Sequence, residues 1–217
     1  MIMKVCAILG MVLACAAAHA AELRVAVKDH KGRDVADAVV LAVAVDTRNA
    51  QHSHPPPDAV DQVDKQFVPF VKPIFVGSTV RFPNSDNIRH QVYSFSTAKK
   101  FELPLYAGTN APPVVFDKPG VVVLGCNIHD WMIGYIYVSE TPFFAKTGPL
   151  GTVSIADMPA GEYMVRIWHP NMDRAEETTS RRLSVSAEGA VSAEWQIGLK
   201  PNIRVPRVSG AASPSYP

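Results

Sequence analysis

The feature that most restricts the fold of this chain is a succession of short apolar runs interrupted by turn residues. Runs such as STVRF, HQVYSF, GVVVLG and IGYIYV are separated by Gly, Pro, Asn and Asp. No long window repeats apolar residues at helical spacing, and the 18 prolines disfavour long helices. Only PDAVDQVDKQ, residues 57–66, permits a short helix. Short strands with frequent turns predict an all-β sandwich or barrel.

The first twenty residues have the pattern of a secretory signal peptide. Lys4 precedes an apolar run that is too short to span a bilayer and ends in AHA, a small-x-small cleavage pattern before Ala21. A lipoprotein signal cleaved before Cys15 is the alternative, but VLAC is a poor lipobox. We therefore expect residues 1–20 to be removed and the mature protein to be periplasmic, without a membrane span.

Signal cleavage determines the cysteine count. Cys6 and Cys15 leave with the signal, so Cys126 is the only thiol that remains and no disulfide can form within the chain. A lone thiol in an oxidising compartment needs protection by burial or by a metal bond. A small buried apolar residue is the simpler interpretation of such a cysteine.

Charge and length narrow the functional classes. Without Lys4 the chain has 20 basic and 20 acidic residues, so nothing indicates binding to nucleic acid or to an anionic membrane. Residues 21–217 suffice for one large or two small domains. Residues 48–66 are polar and proline-rich and predict a linker, whereas the small polar residues 206–217 predict a disordered tail.

The outer parts of the chain together resemble a carboxypeptidase-regulatory-like domain, a small transthyretin-like β-sandwich. Residues 21–47 contain a strand, the turn Asp29 to Gly32 and a second strand. Residues 145–205 contain a strand that starts at Gly151 and the hairpin motif PAGEY. The resemblance implies that residues 67–140 are inserted between the two halves of this sandwich. One enlarged sandwich, with residues 37–45 as a strand of the central domain, is the alternative.

The stretch LGCNIHDWMIGYIYV places three metal-binding side chains three residues apart. Cys126 ends the strand GVVVLG, and His129 and Met132 follow in a tight loop. His90, at the junction between the turn PNSDN and the next strand, can fill a fourth position. Two imidazoles, a thiolate and a weak thioether are the ligands of copper electron-transfer sites. Zinc could bind the same atoms, although methionine is an unusual zinc ligand.

The remaining histidines are weaker metal-ligand candidates. His30 lies in a turn and is expected to be exposed, and His169 ends a strand in a structural or surface position. His52 and His54 lie in the linker motif QHSHPPP. A copper oxidase or nitrite reductase would need His-x-His pairs on several strands, and this is the only such pair.

Residues 67–138 resemble the cupredoxins, the family of plastocyanin, pseudoazurin and amicyanin. The family pattern runs F-x-P, G-x-x-V-x-F-x-N-x-D and His, then P-G, C-x-x-H and M-x-G-x-I-x-V. The short C-x-x-H-x-x-M loop is most similar to that of amicyanin, whereas Gln91 departs from the small polar residue that commonly follows the first histidine. The whole chain also resembles exported methylamine utilisation proteins. The matching residues are Phe67, Pro69, Gly77, Val80, Phe82, Asn84, Asp86, His90, Pro119, Gly120, Cys126, His129, Met132, Gly134, Ile136 and Val138.

The cupredoxin resemblance implies one type 1 copper ion held by His90, Cys126, His129 and an axial Met132. It implies a one-electron carrier, not an enzyme, with a periplasmic dehydrogenase or a c-type cytochrome as redox partner. A copper-binding or delivery module that never cycles is an alternative, as is an interaction protein with an auxiliary copper site. A nucleophilic Cys126 is disfavoured, because no oxyanion arrangement can be identified.

Trp131 lies between two of the proposed ligands and has two interpretations. With Ile133, Pro112 and Pro113 it could form an apolar docking face around His129, through whose edge electrons would pass. It could equally pack in the core.

Overall fold

The computed structural model describes residues 21–46 and 58–201, so the predicted signal peptide and tail, His52 and His54 lie outside the described residues. The described part is built from strands, with one short 3-10 helix at Glu176–Thr179. It contains no helix that is long and apolar enough to cross a membrane. The strands are β1 (Ala21–Asp29), β2 (Val39–Ala44), β3 (Asp58–Ala59), β4 (Asp61–Val63), β5 (Gln66–Val68), β6 (Val71–Phe75), β7 (Thr79–Arg81), β8 (His90–Phe95), β9 (Lys100–Tyr106), β10 (Val114–Val115), β11 (Gly120–Gly125), β12 (Ile133–Ser139), β13 (Phe144–Lys146), β14 (Thr152–Met158), β15 (Gly161–Trp168), β16 (Arg181–Val185) and β17 (Ala190–Ile197).

Strands from the two ends of the chain form one sandwich, the outer sandwich. One sheet has the order β14-β1-β17, with β1 and β17 parallel, and the other has the order β13-β2-β15-β16. Alternate residues of β1, including Leu23, Val25 and Val27, are buried, as expected for a strand with one face on a core. They pack in one cluster with Trp195, whose Nε1 donates to the Thr179 carbonyl oxygen at 2.8 Å. The predicted domain boundaries stay a prediction.

The strands between β2 and β13 form a second sandwich, the central sandwich. Its five-stranded sheet has the order β6-β12-β11-β8-β9, and a smaller sheet has the order β10-β7-β3. Large apolar side chains in the strands of both sheets or directly after them, such as Phe82, Phe116, Leu124 and Ile136, fill the space between the sheets. This arrangement confirms the prediction of an all-β, cupredoxin-like sandwich.

The structure differs from the prediction at residues 58–66, where a linker or a short helix was expected. These residues form β3, β4 and the start of β5. Val60 and Gln62 are buried and face the central sandwich, but the polar composition obscures this alternation. The turn between β4 and β5 consists of Asp64 and Lys65, whose φ angles are 51° and 57°. Two successive positive φ angles are typical of a tight hairpin turn and incompatible with a helix.

A third apolar cluster joins the two sandwiches. Strand β2 is buried on both faces: its residues Val39 and Leu41 pack against Val71 and Tyr137 of the central sandwich. The Trp168 ring of the outer sandwich lies 5.2 Å from the Tyr137 ring, centroid to centroid. The run VVLAVA is therefore continuously apolar because it serves two cores at once.

Candidate metal centre

The four predicted metal ligands come from the first residue of β8 and from the loop between β11 and β12. β8 begins at His90 and pairs in antiparallel fashion with β11, whose last residue, Gly125, lies opposite Tyr93. The start of β8 and the end of β11 therefore lie at the same end of the sheet. Between β11 and β12 the chain turns tightly, and the Met132 N–H donates to the His129 carbonyl oxygen at 2.8 Å. After Cys126 the chain returns to the sheet at Ile133, with only residues 127–132 between them.

Three of these side chains meet at one point. The Cys126 Sγ lies 3.8 Å from Nδ1 of His90 and 4.0 Å from Nδ1 of His129. All three donor atoms lie within 4.8 Å of one another, and all three residues are buried. An ion at about 2.0–2.3 Å from each donor, the range for nitrogen and sulfur ligands, would fit between atoms with this spacing. Within the described ranges no other group of three His, Cys, Asp or Glu side chains lies close enough to share an ion.

The surroundings of Cys126 favour its thiolate form. Burial alone would raise the pKa of the thiol, but contact with His90 and the backbone N–H groups of Gln91, Ile128 and His129 lower the pKa overall. The thiolate is the form that binds metals. Gln91, which departs from the cupredoxin pattern, thus contributes its backbone to the thiolate, while its side chain donates to Glu102 at 2.6 Å.

The ring of His90 is held from its far side by Asp86. Its Nε2 lies 2.7 Å from the carboxylate Oδ2 of Asp86. Burial alone would lower the pKa of His90, but contacts with Cys126 and Asp86 raise it overall. From the sequence, Asp86 is predicted only to lie in the turn and to match the family pattern, and its contact with His90 is not predicted. The sequence feature that could have indicated this contact is the position of an aspartate four residues before the histidine that begins β8.

Met132 is 1% exposed and lies in the same apolar cluster as Cys126. It directly precedes β12, which anchors its backbone to the sheet. Its role as an axial ligand stays a prediction. The other described histidines are not part of the cluster: His30 is exposed, and the His169 Nδ1 accepts a hydrogen bond from the Asn171 N–H at 3.1 Å.

Trp131 has features of both predicted roles, as part of an apolar docking face and as a core residue. Its side chain is half-buried, and its ring centroid lies 5.2 Å from that of His129. Ile128 and Ile133 nearby are 48% and 40% exposed. The loop that holds His129, the least buried of the three clustered ligands, therefore carries exposed apolar side chains, and the Trp131 ring packs on the His129 ring.

Comparisons with known proteins find no matching protein-family model and no matching curated protein. The chain is similar in structure to a Cu-containing nitrite reductase (NirK) from Thermus scotoductus SA-01, with 32% identity and a TM-score of 0.38. The alignment covers 46% of this chain and 25% of the reductase, so the chain spans about a quarter of that protein.

Two small copper proteins are also similar. A purple cupredoxin from Nitrosopumilus maritimus is 24% identical with a TM-score of 0.34, over 39% of this chain and 100% of the cupredoxin. A reduced Cu(I) form of an amicyanin variant is 19% identical with a TM-score of 0.35, over 46% of this chain and 98% of amicyanin.

Proposed function

We propose that this protein binds one type 1 copper ion and acts as an exported, periplasmic one-electron carrier. The observation that carries the proposal is the buried cluster of two imidazole nitrogens and one thiol sulfur, all within 4.8 Å of one another. Two histidines and one cysteine, with a weak thioether as axial ligand, are the donors of copper electron-transfer sites. His90, Cys126 and His129 would hold the ion, with Met132 as the axial ligand.

Copper in such a site supplies a reversible couple between Cu(II) and Cu(I). The residues of this chain would keep the geometry the same in both oxidation states. His90 is fixed at the start of β8, and the Cys126 side chain is held by three backbone N–H groups. Burial of the donors excludes water, which would otherwise add ligands and require rearrangement at each electron transfer.

Electrons would enter or leave near His129, because the Trp131 ring packs on it and the same loop exposes the apolar side chains of Ile128 and Ile133. An apolar face with a ligand close beneath it suits brief contacts with another redox protein. A periplasmic dehydrogenase or a c-type cytochrome would have the required chemistry as donor or acceptor.

The test is the absorption spectrum of the purified mature protein after addition of Cu(II). We expect an intense visible band from thiolate-to-copper charge transfer and reversible one-electron cycling in voltammetry. Cys126→Ser should abolish the band, whereas His30→Ala, which changes an exposed histidine outside the cluster, should leave it intact. A colourless and redox-silent copper complex would contradict the proposal and favour copper storage or delivery.

A further inference from the structure

We infer that Asp86, held by the turn of the β4–β5 hairpin, is a positioning residue that presents the Nδ1 of His90 to the metal. The inference rests on the proposed copper site and extends it to residues 58–66, which lie outside the segment that resembles cupredoxins. It concerns the protonation site and orientation of one imidazole ring.

The contact between the Asp86 carboxylate and the His90 ring determines which ring nitrogen carries the proton. An ionised carboxylate can only accept hydrogen bonds, so the 2.7 Å contact with Asp86 Oδ2 requires the proton on Nε2 of His90. In the neutral ring the lone pair then lies on Nδ1, the atom that is 3.8 Å from Cys126 Sγ. The carboxylate thereby selects the tautomer that a metal ion needs. Partners of this kind commonly orient metal-binding histidines.

The Asp86 carboxylate is itself held in place by backbone N–H groups. The Asp64 N–H donates to Oδ1 of Asp86 at 2.7 Å, and the Lys65 N–H donates to Oδ2 at 2.9 Å. Both donors belong to the hairpin turn with two positive φ angles, which directs successive N–H groups toward Asp86. The Asp86 N–H also donates to Oδ1 of Asn84 at 3.0 Å. Both oxygens are therefore held by backbone groups, and the side chain is only 13% exposed.

These contacts connect the β4–β5 hairpin to the proposed metal site. Hydrogen bonds from backbone N–H groups to an ionised carboxylate are stronger than those between neutral groups. The hairpin therefore fixes the carboxylate, the carboxylate fixes the ring, and the ring points its free nitrogen toward Cys126. His90 is completely buried, so no solvent molecule can replace this partner without a rearrangement of the loop.

The experiment compares Asp86→Ala and Asp86→Asn with a matched control, Asp61→Asn. Asp61 lies in the same hairpin, and its carboxylate accepts from Ser85 Oγ at 2.8 Å and from the Gln62 N–H at 2.7 Å. Among residues 21–46 and 58–201, no histidine donates a hydrogen bond to this carboxylate. The control therefore removes a similar carboxylate from the same loop without touching the proposed positioning contact.

The first measurement is nitrogen NMR of the histidine rings in the copper-free protein, at one pH where the histidines are neutral. We expect His90 of the unaltered protein and of the control to carry its proton on Nε2. Asp86→Ala should give a mixture of tautomers. Asp86→Asn keeps one acceptor oxygen, so its share of rings protonated on Nε2 should lie between those of the unaltered protein and Asp86→Ala.

The second measurement is competition with a chromogenic Cu(I) chelator. Affinity should fall about 10–100-fold in Asp86→Ala and stay within about twofold in the control.

Two results would overturn the inference. One is a proton on Nδ1 of His90 in the unaltered copper-free protein, a result that requires no variant and so does not depend on whether Asp86→Ala folds. The other is a folded Asp86→Ala with unchanged tautomer and unchanged Cu(I) affinity. The proposed function fails separately, because a missing visible band in the unaltered protein would leave the tautomer measurement valid.

Discussion

Met132 is the proposed ligand whose replacement should change the site least. We expect Met132→Gln to retain copper and the visible band but to lower the reduction potential, because the axial ligand tunes the potential of such sites. Voltammetry of the copper-loaded variant measures the shift. Met172→Gln, which replaces a methionine packed against the core of the outer sandwich, is the control. An unchanged potential in Met132→Gln would mean that the thioether is not axial.

The residues of the site differ in how far the sequence could predict them. His90, Cys126 and His129 could be proposed because their spacing in one loop and at one strand junction restricts where they can lie. The structure brings these three together, while their role as copper ligands stays a prediction. The contact of Asp86 could not be predicted, because it depends on a 2.7 Å approach across a turn and on a hairpin that was not recognised.

Among the elements, the short strands of the β4–β5 hairpin were the hardest to predict. Three-residue strands offer too few positions for an alternating pattern to emerge, and this segment is rich in acidic residues. Tertiary contacts decide its structure instead: β3 pairs with β7, and the turn donates two hydrogen bonds to Asp86. Longer strands such as β11 and β12 were predicted, since six or seven residues suffice to show an apolar run bounded by turn residues.

The contact between β12 and the 3-10 helix includes a partly buried carboxylate, that of Glu176, whose ionisation opposes folding. The Tyr137 hydroxyl donates to both oxygens of Glu176 at 2.9 Å, and the Arg166 Nε lies 3.5 Å away. Burial raises the pKa of Glu176 despite these two partners. The folded protein therefore binds this proton more tightly than the unfolded chain does, and stability falls as pH rises from the unfolded pKa through the folded one.

Replacement of Glu176 by glutamine should remove this pH dependence. The neutral amide still offers an oxygen to Tyr137 but cannot ionise. We expect Glu176→Gln to match the unaltered protein in urea unfolding at low pH and to exceed its free energy of unfolding once Glu176 ionises. Glu177→Gln, at an exposed neighbouring position, is the control, and its free energy of unfolding should have the same pH dependence as that of the unaltered protein. A difference between Glu176→Gln and the unaltered protein that stays constant with pH would contradict this account.

At the scale of the whole molecule, the sequence predicted that residues from both ends of the chain resemble one small sandwich. The structure pairs β1 with β14 and β17, and β2 with β13 and β15. The apolar cluster shared by the two sandwiches could not be predicted, because both faces of β2 are buried and its run of apolar residues does not reveal what covers each face.

The insertion hypothesis makes a prediction for a fragment of residues 58–140, which begins at β3 and ends after β12. If the central sandwich is an inserted domain, the fragment should fold and give the same visible band with Cu(II) as the full chain. The fragment should have a lower free energy of unfolding, because Val71 and Tyr137 become exposed to solvent when β2 is absent. Burial of one large apolar side chain contributes about 1.5–3 kcal/mol to that free energy. Urea unfolding and the copper spectrum measure both effects. A fragment that does not fold would instead mean that the shared cluster makes the two sandwiches one cooperative unit, in which the copper site depends on the chain ends.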